Sequence, residues 1–213
     1  TLQAETDYYL DTTDQKLKKC DASCKKCEIF ANNCLECNIE KNYFPKSESN
    51  FCIQFNENKN YFDTSNGKGY YFDENNGKFI ICGESCIMCY QFFDYCIDCN
   101  VGYLPLKDNK NDCRNDQNMP SNYFKEKDAY SPCDKSCLTC SENEKKCTKC
   151  DKGYFPLENN KNKCINSLVE NYYDQSIGQG YYLSSEKIFK KCNEECKTCN
   201  GPNRDNCLTC NQE

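Results

Sequence analysis

The sequence predicts a fold of small disulfide-rich repeats: mostly short β-hairpins and loops, little helix, strung into an elongated tandem array, a rod. Three observations predict it. Cysteine falls on one spacing, C-x3-C-x2-C-x6-C-x2-C with a sixth cysteine 14 or 15 positions on, and that ruler accounts for all 23 cysteines. Leu, Ile and Val are sparse, Trp is absent, and no stretch carries the apolar period of an amphipathic helix. Pairs of Tyr and Phe alternate with Asn, Gly and Pro turn signals, the pattern of short strands bounded by turns.

The elements follow in chain order. Residues 1–52 form a first module with Cys20, Cys24, Cys27, Cys34, Cys37 and Cys52. Residues 53–81 are an aromatic hairpin connector. Residues 82–113 are the core of a second module, with Cys82, Cys86, Cys89, Cys96, Cys99 and Cys113. A short connector, 114–132, leads to the third core, 133–164, with Cys133, Cys137, Cys140, Cys147, Cys150 and Cys164. A second aromatic hairpin connector spans 165–191. The fourth module, 192–213, is truncated: it has Cys192, Cys196, Cys199, Cys207 and Cys210, with one extra residue in its middle gap. A period of this size signals stacked units. A unit of about 50 to 60 residues this poor in aliphatics buries too little surface to fold unaided, so crosslinks must supply the missing stability.

Smaller signals recur inside the modules. Tyr43-Phe44-Pro45, Tyr103-Leu104-Pro105 and Tyr154-Phe155-Pro156 follow the fifth cysteine. Each reads as a small hairpin closed at its base by a bridge, with its Pro at an edge or a strand end. An aromatic pair precedes each first cysteine: Tyr8-Tyr9, Tyr70-Tyr71, Tyr123-Phe124 and Tyr181-Tyr182. Asn76-Gly77 predicts a tight hairpin, because both residues accept positive φ. A single helical turn is expected between the third and fourth cysteines. Residues 60–71 parallel 171–182 at an offset of 111, and residues 114–131 lack that insert, so the true repeat is read as a pair of modules.

Cysteine at this density needs an oxidising compartment. That places the chain outside the cell or at its surface. Residues 1–20 hold no apolar run of the signal-peptide kind, and nothing approaches the roughly 18 apolar residues of a membrane span. No direct membrane insertion is expected. The chain begins without Met and stops one cysteine short of a full repeat, and so reads as part of a longer protein. Its net charge of −6, with acids and lysines interspersed, argues against a nucleic-acid partner, which would call for a basic stripe. Among the 28 asparagines no N-x-Ser/Thr acceptor occurs; only the rare N-x-Cys form is present, at Asn32, Asn50, Asn111 and Asn162.

Catalytic constellations are missing. There is no His, so Ser–His and Cys–His nucleophile pairs are excluded, and no phosphate-binding Gly loop occurs. Four thiolates in C-x2-C pairs are a legitimate zinc set, but six cysteines recur per unit rather than four. C-x-x-C also suggests redox catalysis, which wants one such pair at a helix N-terminus; repetition in helix-poor sequence favours scaffolding. Asp73–Gly77 and Asp108–Asp112 hint at calcium loops without matching EF-hand ligand positions, and turns explain them better. Thus no enzyme, cofactor or metal is expected. Most of the 28 Tyr and Phe residues are read as packing against the sulfur ladder. Tyr61, Phe62, Tyr172 and Tyr173, in the inserts, are candidate contact residues.

Six cysteines allow 15 pairings, and spacing alone does not choose among them. In a helix the first and third, seven apart, would be separated by about 10 Å, too far to bridge; if they pair, the stretch is a loop. The spacing, with the idiom Cys137-Leu138-Thr139-Cys140 and Cys150-Asp151-Lys152-Gly153-Tyr154-Phe155-Pro156, resembles the furin-like cysteine-rich repeats of growth-factor receptors, some proprotein convertases, and ciliate and other protist surface proteins. That resemblance implies pairing of first with third, second with fourth and fifth with sixth. It implies Cys20–Cys27, Cys24–Cys34, Cys37–Cys52, Cys82–Cys89, Cys86–Cys96 and Cys99–Cys113. It further implies Cys133–Cys140, Cys137–Cys147, Cys150–Cys164, Cys192–Cys199 and Cys196–Cys207, leaving Cys210 unpaired or intermolecular. A bridge closing about 15 residues contributes on the order of 3 kcal/mol.

The expected function is an extracellular structural or adhesive repeat segment of a larger cell-surface, coat or filament protein. The alternatives are a spacer that positions a ligand in a receptor or recognition ectodomain, and the cysteine-rich tail of a secreted protease. The expected partners are neighbouring modules, copies of the same chain, or another surface protein.

Overall fold

The computed structural model describes residues 7–211. Among them short antiparallel strands dominate, and helix is confined to two 3-10 turns, Ile39–Lys41 and Arg204–Asn206. The chain divides into two compact units. One comprises Thr1–Pro105 with Asn109–Cys113, the other Leu106–Asp108 with Arg114–Glu213.

Every cysteine cluster folds into the same hairpin. Cys24–Cys27 pairs with Cys34–Cys37, Cys86–Cys89 with Cys96–Cys99, Cys137–Cys140 with Cys147–Cys150, and Cys196–Cys199 with Cys207–Cys210. All four ladders slip register at the same places, and such bulges bend and twist a two-stranded ribbon. The helical turn expected between the third and fourth cysteines occurs only in the last module, at Arg204–Asn206. In the other three, the residue two places after the third cysteine is left-handed instead: Ile29, Gln91 and Glu142, with φ of 63°, 64° and 65°. A left-handed residue reverses the chain in fewer steps than a helical turn. The one extra residue of the fourth gap makes room for the turn there.

The aromatic inserts form sheets. In the first unit Asn60–Asp63, Lys68–Asp73 and Lys78–Ile81 make an antiparallel meander. The tail hairpin, Tyr43–Pro45 against Cys52–Gln54, joins it through a parallel bridge, Lys46 to Phe79. The second unit builds a five-stranded sheet in the spatial order Asn160–Asn166, Tyr154–Leu157, Phe189–Lys191, Gln179–Leu183, Asn171–Asp174. Its Pro156 is neither at an edge nor at a strand end, contrary to expectation. Pairing to Phe189 begins only at Leu157, and the next donor is the Glu158 N–H, so the missing proline N–H costs no ladder bond.

Asn76-Gly77 does close a hairpin, but with a four-residue loop: Asp73 stands opposite Lys78. Only Gly77 takes positive φ, 59°, while Asp73 Oδ1 accepts the N–H groups of Asn75 and Asn76. An aspartate that binds the backbone two residues on makes a turn by itself. The same design recurs at Asp63–Lys68, Asp174–Gln179 and Asp11–Lys16, with Gly67, Gly178 and Gln15 in the left-handed place.

The interior is not sulfur alone. Phe79 and Tyr70 with Ile53 anchor one small core, ringed by Phe44, Phe55, Tyr61 and Phe72. Leu157, Tyr181 and Phe189 anchor its counterpart in the other unit. Phe44, Phe55 and Phe72 pack edge to face at 4.8 to 5.9 Å, the favoured arrangement of aromatic quadrupoles. In the short connector Tyr130 is buried, and its hydroxyl donates to Asp116 at 2.6 Å. Burial first, then this acid, push the phenol up to about 12.

Candidate functional site: the sulfur ladder and the sheets docked on it

Eleven disulfides are present. They join Cys20–Cys27, Cys24–Cys34 and Cys37–Cys52 in the first module, and Cys82–Cys89, Cys86–Cys96 and Cys99–Cys113 in the second. The third holds Cys133–Cys140, Cys137–Cys147 and Cys150–Cys164, and the fourth Cys192–Cys199 and Cys196–Cys207. Cys210 is free and exposed. Its place in the ladder is directly across from Cys196. Among the described residues no group of three or more His, Cys, Asp or Glu is placed to hold a metal ion.

The second aromatic of each pair covers this ladder. Tyr9, Tyr71, Phe124 and Tyr182 pack on the cysteine clusters of the first, second, third and fourth modules. A serine seals the other side. Ser23 Oγ lies 3.9 Å from Cys24 Sγ and 3.8 Å from Cys34 Sγ, and Ser136 sits likewise against Cys137 and Cys147. Each serine donates through N–H and Oγ to an aspartate two residues before, Asp21 or Asp134. The serine hydroxyl bond is the main reason both carboxyls sit below the usual range.

Two glycines let the inserts dock. A Cβ on Gly69 would stand 2.1 Å from the Ile87 carbonyl oxygen, and one on Gly180 2.2 Å from that of Lys197. Each inserted sheet thus lies backbone to backbone on the hairpin that follows it. The acids that end the first insert strands are neutralised by lysines, Asp63 by Lys46 at 2.5 Å and Asp174 by Lys163 at 2.8 Å.

The candidate contact residues separate. Tyr61 packs inward, its ring 6.2 Å from Tyr70 and 6.5 Å from Phe79. Tyr172 stacks 6.0 Å from Tyr181. Tyr173 is half-buried beneath Lys197, whose Nζ lies 5.4 Å over the ring. Phe62 remains exposed. Three of the four N-x-Cys asparagines already spend their amides: Asn111 Nδ2 donates to the Cys96 carbonyl, Asn162 Nδ2 to that of Cys147, and Asn50 Nδ2 to Asn33.

Sequence reasoning missed the docking glycines, the ion-paired aspartates and the sealing serines. The 111-residue offset carried a signal for the first two: Gly69 aligns with Gly180, and Asp63-Thr64-Ser65 with Asp174-Gln175-Ser176.

Similarity to known proteins follows the cysteines. Over 146 residues the chain is 27% identical to cysteine repeat modular protein 2 of Tetrahymena thermophila, covering 67% of this chain and 7% of that protein. It is 33% identical over 132 residues to mouse proprotein convertase subtilisin/kexin type 5, covering 61% of this chain and 6% of the convertase. Furin-like protease 2 of Drosophila melanogaster is 27% identical over 96 residues, 44% of this chain and 5% of the protease. The chain therefore spans less than a tenth of the relatives it matches. No family model and no solved structure matches it.

Proposed function

We propose that this chain, whose homologues are the cysteine repeat modular proteins of Tetrahymena and the furin-like cysteine-rich regions of proprotein convertases, works as an extracellular structural or adhesive repeat segment of a larger surface, coat or filament protein. The ladder carries this reading. Twenty-two of the 23 cysteines are bonded, within modules that have only small apolar cores. Such a chain keeps its fold where thiols are oxidised and loses it where they are reduced. Repeats that touch mainly their neighbours build length and present surfaces. Among the described residues no helix is long and apolar enough to cross a membrane. The conspicuous features left over are surface features: exposed rings such as Phe30, Phe92 and Phe93, and Phe62 on an insert.

A second reading, the cysteine-rich region of a secreted protease, is favoured by the similarity to the convertases. What flanks the segment in its full protein decides between them, a protease domain or further repeats.

The test is accessibility on intact cells. The expected result is staining by an antibody to this chain without permeabilisation, and removal of that signal by external protease. The recovered chain should gain two hydrogens for each of its bridges on full reduction. Staining only after permeabilisation, with the thiols already free, overturns the proposal.

A further inference from the structure

Four copies of one hairpin act as mutual controls. What the scaffold requires is common to all of them; what one copy carries alone has another cause. In the second module the turn between the third and fourth cysteines reads Tyr90-Gln91-Phe92-Phe93-Asp94-Tyr95. Its four rings are between 36% and 63% exposed. The same turn in the third module is Ser141-Glu142-Asn143-Glu144-Lys145-Lys146, with the same left-handed second residue. The fold therefore does not need the rings, and a cluster of exposed rings marks a contact surface. Among the described residues Asp94, the fifth residue of the turn, has no ion-pair partner.

The second unit carries the complementary feature, a groove of about 1110 Å³. Leu138, Tyr154, Phe155, Pro156 and Ile188 give it apolar walls. Lys149, Lys152, Lys161 and Lys187 also line it, Lys187 with its Nζ 6.0 Å over the Phe155 ring, and among the described residues no carboxylate pairs with any of them. Three acids, Asp151, Glu158 and Glu186, line it against five lysines, and Glu186 pairs with Lys190 at 2.9 Å. Positive charge is thus left over, in a chain of net charge −6. It is not a property of the scaffold. The place of Lys149 is held by Glu36 in the first module and Asp98 in the second, and that of Lys152 by Ile39 and Val101.

We propose that the aromatic turn of one copy docks into the groove of a second copy. The Phe92 and Tyr95 rings lie on the apolar walls at Phe155, Pro156 and Ile188, and the Asp94 carboxylate enters among the lysines. Convex apolar surface with a free acid meets concave apolar surface with free bases, so one contact accounts for both features. The contact is heterologous: each docked pair keeps one free turn and one free groove, and the association propagates. This gives the coat or filament reading a joint, and in that sense rests on it.

Sedimentation velocity tests the joint, in a Cys210→Ser background that removes intermolecular bridges. The expected result is growth past dimer as concentration rises, reversed by high salt because the attraction of lysine for carboxylate is screened. A turn variant, Phe92→Ser, and a groove variant, Lys149→Glu with Lys187→Glu, should each be monomeric. Mixed, they should form a dimer and nothing larger, since one intact turn meets one intact groove. Should Phe92→Ser misfold, Asp94→Lys replaces it; it should abolish assembly alone and restore it when placed in the same chain as the two groove substitutions. A parent that stays monomeric at every concentration overturns the proposal. So does a turn variant that still assembles, or a mixture that stays monomeric. A monomeric parent that binds an acidic peptide or a lipid vesicle also overturns it and assigns the groove or the turn to that partner. Surface labelling of intact cells is unaffected by any of these outcomes, so the two proposals fail separately.

Discussion

Lys46 and Asp63 form an ion pair, Nζ to Oδ2 2.5 Å, in which the side chains are only 9% and 10% exposed. Lys46 follows the first strand of the first module's tail hairpin and Asp63 ends the first strand of the insert, so the pair fastens one to the other. Lys46 also sits 5.0 Å over the Tyr70 ring and 5.7 Å over that of Phe51. In the other unit Asp174 holds the equivalent place, but its lysine comes from the opposite strand of the tail hairpin and is 40% exposed. The acid repeats; the base that answers it does not.

Burial separates the two pairs in energy. Removing one partner of a buried pair strands a charge and costs about 3 to 5 kcal/mol, whereas a solvated pair contributes about 0 to 1. Asp63→Asn strands the buried Lys46 and should therefore destabilise the first unit by about 3 kcal/mol, whereas Asp174→Asn leaves Lys163, 40% exposed, and should cost the second about 1. Lys46→Met with Asp63→Asn should recover most of the loss, since the amide keeps the turn bond to Ser65. Urea unfolding followed by tyrosine fluorescence reads all three. Equal losses for the two aspartates would refute the ranking by burial.

Acid should loosen the protein, in part through these two aspartates. The ion pair with Lys46, then the bond from Ser65, hold Asp63 at about 2; Lys163 and Ser176 do the same for Asp174. An unfolded aspartate titrates near 3.9. The folded carboxyls bind protons less tightly than the unfolded ones, so their stabilisation is complete above about pH 5 and is lost as pH falls toward 2. Thermal midpoints should be flat from pH 5 to 8 and fall between pH 5 and 2, and Asp63→Asn should remove that aspartate's share of the fall. A midpoint that rises on acidification contradicts the assignment.

The legible parts of this fold are those written in local spacing. Cysteine intervals mark the hairpins, aromatic-Pro runs mark the tails, and the 111-residue offset marks the inserts. The bridges are not written there. In each ladder the second and fifth cysteines stand directly opposite, as Cys24 does to Cys37, yet Cys24 is bonded to Cys34 and Cys37 to Cys52. Only a family resemblance chooses among the pairings. The lysine partners are equally hidden, because Lys46 and Lys163 occupy unrelated positions in their modules. The aromatic cores were hidden for another reason. Their rings come from a tail and an insert separated in sequence, with no period to betray that they share one face.

Among the described glycines the two docking ones leave the least room for a Cβ. Gly69→Ala would drive a methyl into the Ile87 carbonyl at 2.1 Å, where backbone rather than a flexible side chain must yield. Overpacking of this kind typically costs 1 to 3 kcal/mol and sometimes more; about 3 kcal/mol is expected here, and likewise for Gly180→Ala. Gly67→Ala is the control. Its Cβ meets nothing within 4 Å, but its φ is 68°, so only the strain of a left-handed alanine applies, about 1 kcal/mol. Hydrogen exchange should show Gly69→Ala exposing the amides of 60–81 while Gly67→Ala leaves them protected. The reverse order would mean that the sheet does not lie against the hairpin.

Ile29 is the converse case, a residue the fold would be better without. It holds φ of 63°, a region that suits Gly and Asn and is a true outlier for a β-branched side chain. Its siblings at the same place, Gln91 and Glu142, are unbranched and strained less. Ile29 is 62% exposed, so little burial compensates for the strain. Ile29→Asn should therefore stabilise the first unit by about 1 kcal/mol, and Gln91→Asn by clearly less. Calorimetric midpoints at neutral pH measure both. With Phe30 beside it 65% exposed, Ile29 makes an outward apolar tip on the first hairpin, held against the local backbone preference. A destabilised Ile29→Asn would show instead that the isoleucine is part of the packing, and that this tip is not a surface feature maintained at a cost in stability.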